Sequence, residues 1–109
     1  MSVKLPLAVQ HYFEGKNARD PALALSGFSP DALVGDESKF HQGHDEIASW
    51  MAETSAQYNE TSEPLETRQE GDRLIVVAKV SGNFPGSPAN LSYRFTFADE
   101  KIVRLEIGS

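Results

Sequence analysis

Apolar residues recur along this chain in two different periods, and the change of period divides it. In the last third they follow strand patterns. Arg73-Leu-Ile-Val-Val-Ala-Lys-Val-Ser81 is dense in β-branched residues, as expected of a strand buried on part of both faces. Leu91, Tyr93, Phe95 and Phe97 then alternate strictly with Ser92, Arg94 and Thr96. Val103, Leu105 and Ile107 alternate in turn with Arg104 and Glu106. Only Ala98-Asp99-Glu100 separates the last two runs, a connection of hairpin length that dictates antiparallel pairing.

The first half follows the helical period instead. Leu5, Ala8, Val9, Tyr12 and Phe13 share one side of a helix opened by Pro6 and ending near Asn17, with Gln10, Glu14 and Lys16 on the other side. Asp20-Pro21 reads as an N-cap and first helical position for a short helix, Ala22 to Ser26, closed by Gly27. Ala32-Leu-Val34 is a strand ending at Gly35-Asp36, and Lys39 to Gln42 is a short extended return ended by Gly43. Ile47, Trp50, Met51, Thr54 and Tyr58 then predict a third helix of about four turns. Asn59 to Pro64 reads as polar linker, Leu65 to Glu70 as an edge strand, and Gly71-Asp72 as the turn into the C-terminal sheet. Gly82 to Ala89 holds two prolines and two glycines, so it is a rim loop, with Phe84 its one large apolar residue. The class is therefore α+β: three helices on one face of a strongly curved antiparallel sheet of three or four strands, with an early strand pair interleaved.

Size and charge narrow the function. A chain of 109 residues has enough core for one domain. The formal net charge is −6 and the ten basic residues are scattered, so no basic patch exists for a nucleic-acid partner. Absence of cysteine removes disulfides, thiol nucleophiles and thiolate metal sites, and fits a reducing compartment. The stretch Met1 to Leu7 lacks a secretion signal's apolar core, and no apolar run approaches the ~20 residues of a membrane span, so a cytoplasmic domain without membrane contact is expected. His41 and His44, with Asp36 and Asp45 nearby, are the nearest approach to a metal set. They flank a turn into a helix and no third histidine joins them, so neither metal nor cofactor is expected. There is no glycine-rich phosphate loop between strand and helix, and no Gly-x-Ser-x-Gly elbow.

Tyr12, on the inner side of the first helix, and Asp36, at the end of the first strand, are the constellation with chemistry. A carboxylate at the mouth of an apolar hollow loses solvation and gains basicity, so it can take a proton from a carbon acid near neutral pH. A phenol reaching the same hollow can donate to the developing enolate oxygen. Each also has a plain alternative, Tyr12 as core and Asp36 as a solvated turn residue. Trp50 and the aromatic face of Tyr93, Phe95 and Phe97 are core residues of which part lines the hollow, together with Phe28 and His41 near the entrance; an apolar hollow with few polar groups is the general form of a small-molecule site.

Ala8-Val-Gln-His-Tyr-Phe13 with Asn17-Ala-Arg-Asp20, Phe28 to Asp36, Gly43-His-Asp-Glu-Ile47 with Trp50, and Tyr93-Arg-Phe-Thr-Phe97 followed by Lys101-Ile-Val103 together resemble the nuclear transport factor 2-like superfamily. The closer likeness is to its SnoaL-like and ketosteroid isomerase-like branch, and it covers nearly the whole length. The resemblance implies a cone-shaped α+β barrel, on which isomerases, cyclases and non-catalytic carriers all occur. In ketosteroid isomerase an aspartate base works beside an oxyanion hole made of a tyrosine and a protonated aspartic acid. Laid on this chain, the tyrosine falls on Tyr12 and the base on Asp36. The second acid falls on Leu91 or Tyr93, of which only Tyr93 can donate a hydrogen bond. In polyketide cyclase relatives an acid likewise removes a carbon-bound proton, which again falls to Asp36, with His41 and His44 near the entrance. The resemblance thus implies a binder of a small apolar molecule, dimeric through the outer face of its sheet, abstracting a proton beside a carbonyl through Asp36 with Tyr12 and Tyr93. The alternatives are a ligand carrier, a protein-interaction module using an exposed Phe84, and a degenerate member acting only through its dimer.

Overall fold

The computed structural model describes residues 4–36 and 38–108. Met1 to Val3, part of the stretch weighed as a leader, lie outside the described residues. Three helices, α1 (Leu7–Ala18), α2 (Pro21–Leu25) and α3 (Gly43–Tyr58), pack on a sheet of six strands. These are β1 (Phe28–Asp36), β2 (Lys39–Gln42), β3 (Thr61–Glu70), β4 (Arg73–Ser81), β5 (Ala89–Ala98) and β6 (Lys101–Gly108), in the order β2-β1-β6-β5-β4-β3. The α+β class holds, and the early strand pair joins the C-terminal strands in one sheet, with β1 lying parallel to β6. Every other neighbouring pair is antiparallel.

Local chemistry accounts for the elements. The Asp20 carboxylate accepts from the Leu23 backbone N–H at 3.2 Å, capping α2 with Pro21 at its first turn. Asp99 and Glu100 take φ of 52° and 65°, the left-handed pair a two-residue hairpin needs between β5 and β6. Strand β1 begins four residues before the expected Ala32 and takes in Ser29-Pro30-Asp31. A register shift between Phe28 and Leu33 lets Pro30, which has no donor, sit inside the strand. Strand β3 likewise takes in Thr61 to Pro64, expected as linker. It pairs only with β4, with a register shift after Pro64, and an edge strand tolerates a polar, proline-bearing sequence.

The core lies between the helices and the inner faces of the strands. Val9, Tyr12, Phe13, Phe28, Val34, Ile47, Val76, Val80, Tyr93, Phe95, Ile102 and Leu105 are nearly or fully buried. On the outer face Arg68, Ile75, Arg94 and Glu106 are register neighbours across β3 to β6, and Arg73 and Arg104 lie at 3.9 and 3.5 Å from Glu106. Phe84, expected as an exposed contact of the rim loop, is partly buried against the core. Its ring meets Tyr58 edge-on at 5.9 Å, because one apolar residue in a polar loop finds the nearest apolar surface.

Helices α1 and α2 touch backbone to backbone at Gly15, where a Cβ would come within 2.8 Å of the Ala24 N, Cα and Cβ atoms. Gly15→Ala should therefore push α2 away, outweighing the better helix propensity of alanine. We expect a loss of about 1–3 kcal/mol in urea unfolding, the cost typical of overpacking.

Candidate functional site

Helix α1 carries the interior chemistry on one side. Tyr12 is fully buried, its ring 5.1 to 6.2 Å from those of Phe13, Phe28, Tyr93 and Phe95. Its hydroxyl has no hydrogen-bond partner among the described residues. Leaving a buried donor unmade costs about 1–3 kcal/mol, so this phenol is a standing strain on the fold. Burial pushes its pKa well above the usual phenol value, and the charges of Glu60 and Asp36 add to the shift together with Tyr93. Tyr93 is raised too, by burial first and then by the same two carboxylates, against the opposing effect of its bond to Ser62.

One turn after Tyr12 comes Lys16, which the helical pattern put on the solvent side. The structure buries it: Lys16 is 8% exposed, its ammonium donating to Ser62 Oγ at 3.0 Å and lying 3.2 Å from a Glu60 carboxylate oxygen. Ser62 Oγ is in turn 3.2 Å from the Tyr93 hydroxyl. Asn17 holds this strand end like a neighbouring strand, accepting from the Ser62 N–H and donating to its carbonyl, both at 2.8 Å. The Arg19 guanidinium donates to the Lys16 and Glu60 carbonyls and to Asn59. A continuous polar path thus runs from Glu60 through Lys16 and Ser62 to the phenol of Tyr93. The sequence reading missed it because Glu60 and Ser62 looked like linker. The signal was present in Val9, Tyr12 or Phe13, and Lys16, which follow the i, i+3, i+7 rule of a single face.

Asp36 ends β1 and turns toward α3, where the Trp50 indole N–H donates to its carboxylate at 3.0 Å. Trp50 also walls a cavity of about 420 Å³ between α1, α2 and α3, with Gly15, Lys16, Pro21, Ala48, Met51 and Glu60 among its other sides. On the far side of Trp50 a second hollow of about 330 Å³ is lined by His41, Asp45, Glu46, Ser49 and Glu53. His41 stacks on the indole at 5.7 Å and 26°. Of the residues expected to line a hollow, Trp50 and His41 do so. Phe28 and Phe95 are instead packed around Tyr12, and Phe97 is partly buried on Phe95 at 6.4 Å. The hollow expected under the sheet's aromatic face is filled by that face itself, and the cavity opens between the helices. The two histidines diverge, His44 lying 3.1 Å from the Phe28 carbonyl oxygen. No group of three or more metal-ligating side chains assembles among the described residues. No helix is long and apolar enough to cross a membrane.

A model of the SnoaL-like domain matches residues 9–105, nearly the whole of this fold and both walls of the site. The chain belongs to the SnoaL-like domain family. This SnoaL-like domain is 44% identical to a Sinorhizobium meliloti protein that bears the provisional name polyketide cyclase. Their structures agree with a TM-score of 0.90, and 94% of each chain is covered. Two more distant structures share the fold. A protein with a ketosteroid isomerase-like fold from Catenulispora acidiphila, solved with trimethylamine, is 18% identical over 97% of this chain and 87% of its own, with a TM-score of 0.82. A cystatin-fold protein from Novosphingobium aromaticivorans is 19% identical over 94% of this chain and 95% of its own, with a TM-score of 0.76. None of the curated proteins matches the SnoaL-like chain.

The unpartnered phenol sets a stability test. Tyr12→Phe deletes a hydroxyl that the fold leaves unsatisfied, so urea unfolding at pH 7 should show a gain of about 1 kcal/mol. A phenol whose folded pKa exceeds its unfolded value stabilises fully below pH ~10, and that contribution is lost as pH rises above it. The advantage of Tyr12→Phe should therefore widen between pH 9 and 11; a narrowing advantage would contradict the burial of this group.

Proposed function

We propose that this SnoaL-like domain binds a small apolar carbonyl compound and abstracts the proton next to its carbonyl, as an isomerase or cyclase does. One observation carries the reading: Trp50 lines the 420 Å³ cavity, and its indole N–H donates to the Asp36 carboxylate. A ligand lying on that ring is then within a side chain's length of a base. The volume falls in the range of small-molecule sites, roughly 300–1,000 Å³.

In the proposed step an Asp36 oxygen takes the α-proton. The C–H electron pair moves into a carbon–carbon double bond, and the carbonyl oxygen gains the negative charge. Tyr12, whose O–H has no partner among the described residues, donates to that oxygen, with Tyr93 alongside. Where a double bond adjoins the deprotonated carbon, the resulting dienolate takes the proton back at its γ-carbon, which is isomerisation; otherwise the enolate carbon attacks a second carbonyl, which closes a ring. Such a general base contributes about 10²–10⁴-fold to rate, and no cofactor takes part. Tyr12 is not itself in the cavity wall, so the substrate must displace part of that wall to meet the phenol. The name of the 44% identical relative supports the same reaction class.

A second reading has its own observation. The Trp50 N–H already bonds to Asp36 and the fold seals Tyr12, as befits a carrier in which that carboxylate holds the indole in place. Exchange of the α-protons of 2-tetralone in D₂O, followed by NMR, separates the two. The catalytic reading predicts exchange above the buffer rate that falls at least roughly 100-fold in Asp36→Asn. Binding without accelerated exchange, or equal exchange in both proteins, would leave the carrier.

A further inference from the structure

Lys16 is a charged group on the wall of a largely apolar cavity, and the proton abstraction proposed above makes no use of it. Beside it stand Gly15, Pro21, Ala48, Trp50, Met51 and Ala52. An ammonium has three N–H donors. Two are directed to Ser62 Oγ at 3.0 Å and Glu60 Oε1 at 3.2 Å, and no third acceptor is present among the described residues. The other cation of the wall, Arg19, is spent on backbone carbonyls and the Asn59 side chain. Burial pulls the Lys16 pKa below the usual lysine value while Glu60 pulls it back, the balance expected of a desolvated charge held by one counter-ion.

We infer that Lys16 is the specificity residue of this cavity, its third N–H fixing one neutral acceptor oxygen, a ketone or ester carbonyl distinct from the reacting one, on a largely apolar ligand. The inference rests on the cavity being the ligand site. The charge balance selects the neutral group. The wall carries two cations, Lys16 and Arg19, and two anions, Glu60 and Asp20, so a ligand carboxylate would bring an uncompensated charge into a largely apolar space and lie beside Glu60. A carbonyl oxygen adds no charge and completes the ammonium's third bond. A hydrocarbon of the same shape would fill the cavity but leave that N–H unmade.

The test compares 2-acetylnaphthalene with 2-isopropenylnaphthalene, in which C=CH₂ replaces C=O at nearly the same shape, and with 2-naphthoate. Affinities are read by isothermal calorimetry on the intact protein. A hydrogen bond to a charged donor predicts the ketone binding roughly 10- to 100-fold more tightly than the hydrocarbon, and 2-naphthoate more weakly than the ketone. The double variant Lys16→Met/Glu60→Gln avoids stranding a buried charge, and in it the ketone should lose its advantage while the hydrocarbon still binds. Should that variant not fold, the Lys16 Nζ resonance of the wild-type protein decides. It should move when the ketone is added and stay when the hydrocarbon is added. Equal affinities for ketone and hydrocarbon, a preference that survives in the double variant, or a Nζ resonance that ignores the ketone overturns the role of Lys16 while leaving the cavity as the ligand site. Binding of none of the three compounds overturns the cavity and this inference with it.

Discussion

Burial of Lys16 is the constraint on which the rest of the structure turns. An ammonium removed from water is tolerated only with a counter-ion and hydrogen-bond acceptors in place, and α1 by itself offers neither. The segment entering β3 supplies both, Glu60 just before the strand as counter-ion and Ser62 within it as acceptor, and Asn17 and Arg19 lash the same segment to the end of α1. That fastening joins the first helix to the far edge of the sheet, because β3 is the last strand in the order. Between the fastening and the contact of α1 with α2 at Gly15, the helices stand apart far enough to leave a cavity at the height of Trp50.

The same arrangement divides the interior into a dry and a polar half. Around Tyr12 the aromatic rings of Phe13, Phe28, Tyr93 and Phe95 pack at angles of 57° to 72°, geometries in which each ring edge meets a neighbour's face. Next to them lie Ser62, Lys16 and Glu60, and on the side of α3 the Trp50–Asp36 bond. Fixed dipoles and charges in a water-poor space act more strongly than in solvent, and they cost no reorganisation when charge develops nearby. A phenol that the fold leaves unsatisfied is a stability deficit of the kind proteins retain where a group is needed for something other than folding.

Much of the fold was legible from periodicity. Strands β4, β5 and β6 and the hairpin between the last two follow from alternation and a short connection, and α2 follows from Asp20-Pro21. What escaped were places where local chemistry contradicts the element it sits in. Ser29-Pro30-Asp31, ahead of the expected strand start, lies in β1, and the polar Thr61 to Pro64 lies in an edge strand that needs no apolar side. The candidate site was legible in part. Tyr12, Asp36, Trp50 and His41 came from the sequence and the family resemblance, but Lys16 was assigned to solvent because charge was weighed above helical position. Its acceptors lie more than forty residues away in sequence, and no local pattern reports such a pairing. The location of the cavity was also beyond reach. Whether aromatic side chains line a hollow or fill it depends on how closely helices and sheet approach, which the pattern of the sheet does not encode.

The SnoaL-like chain has a single tryptophan, and its indole N–H joins the candidate base to the candidate binding space. The indole proton of Trp50 therefore gives one isolated NMR signal that senses both. The account predicts a downfield, hydrogen-bonded resonance that shifts in Asp36→Asn and shifts again, saturably, when 2-tetralone is added to the wild-type protein. A signal that 2-tetralone leaves unmoved at concentrations where the compound is bound would contradict the account, since ligand and carboxylate would then not share the indole.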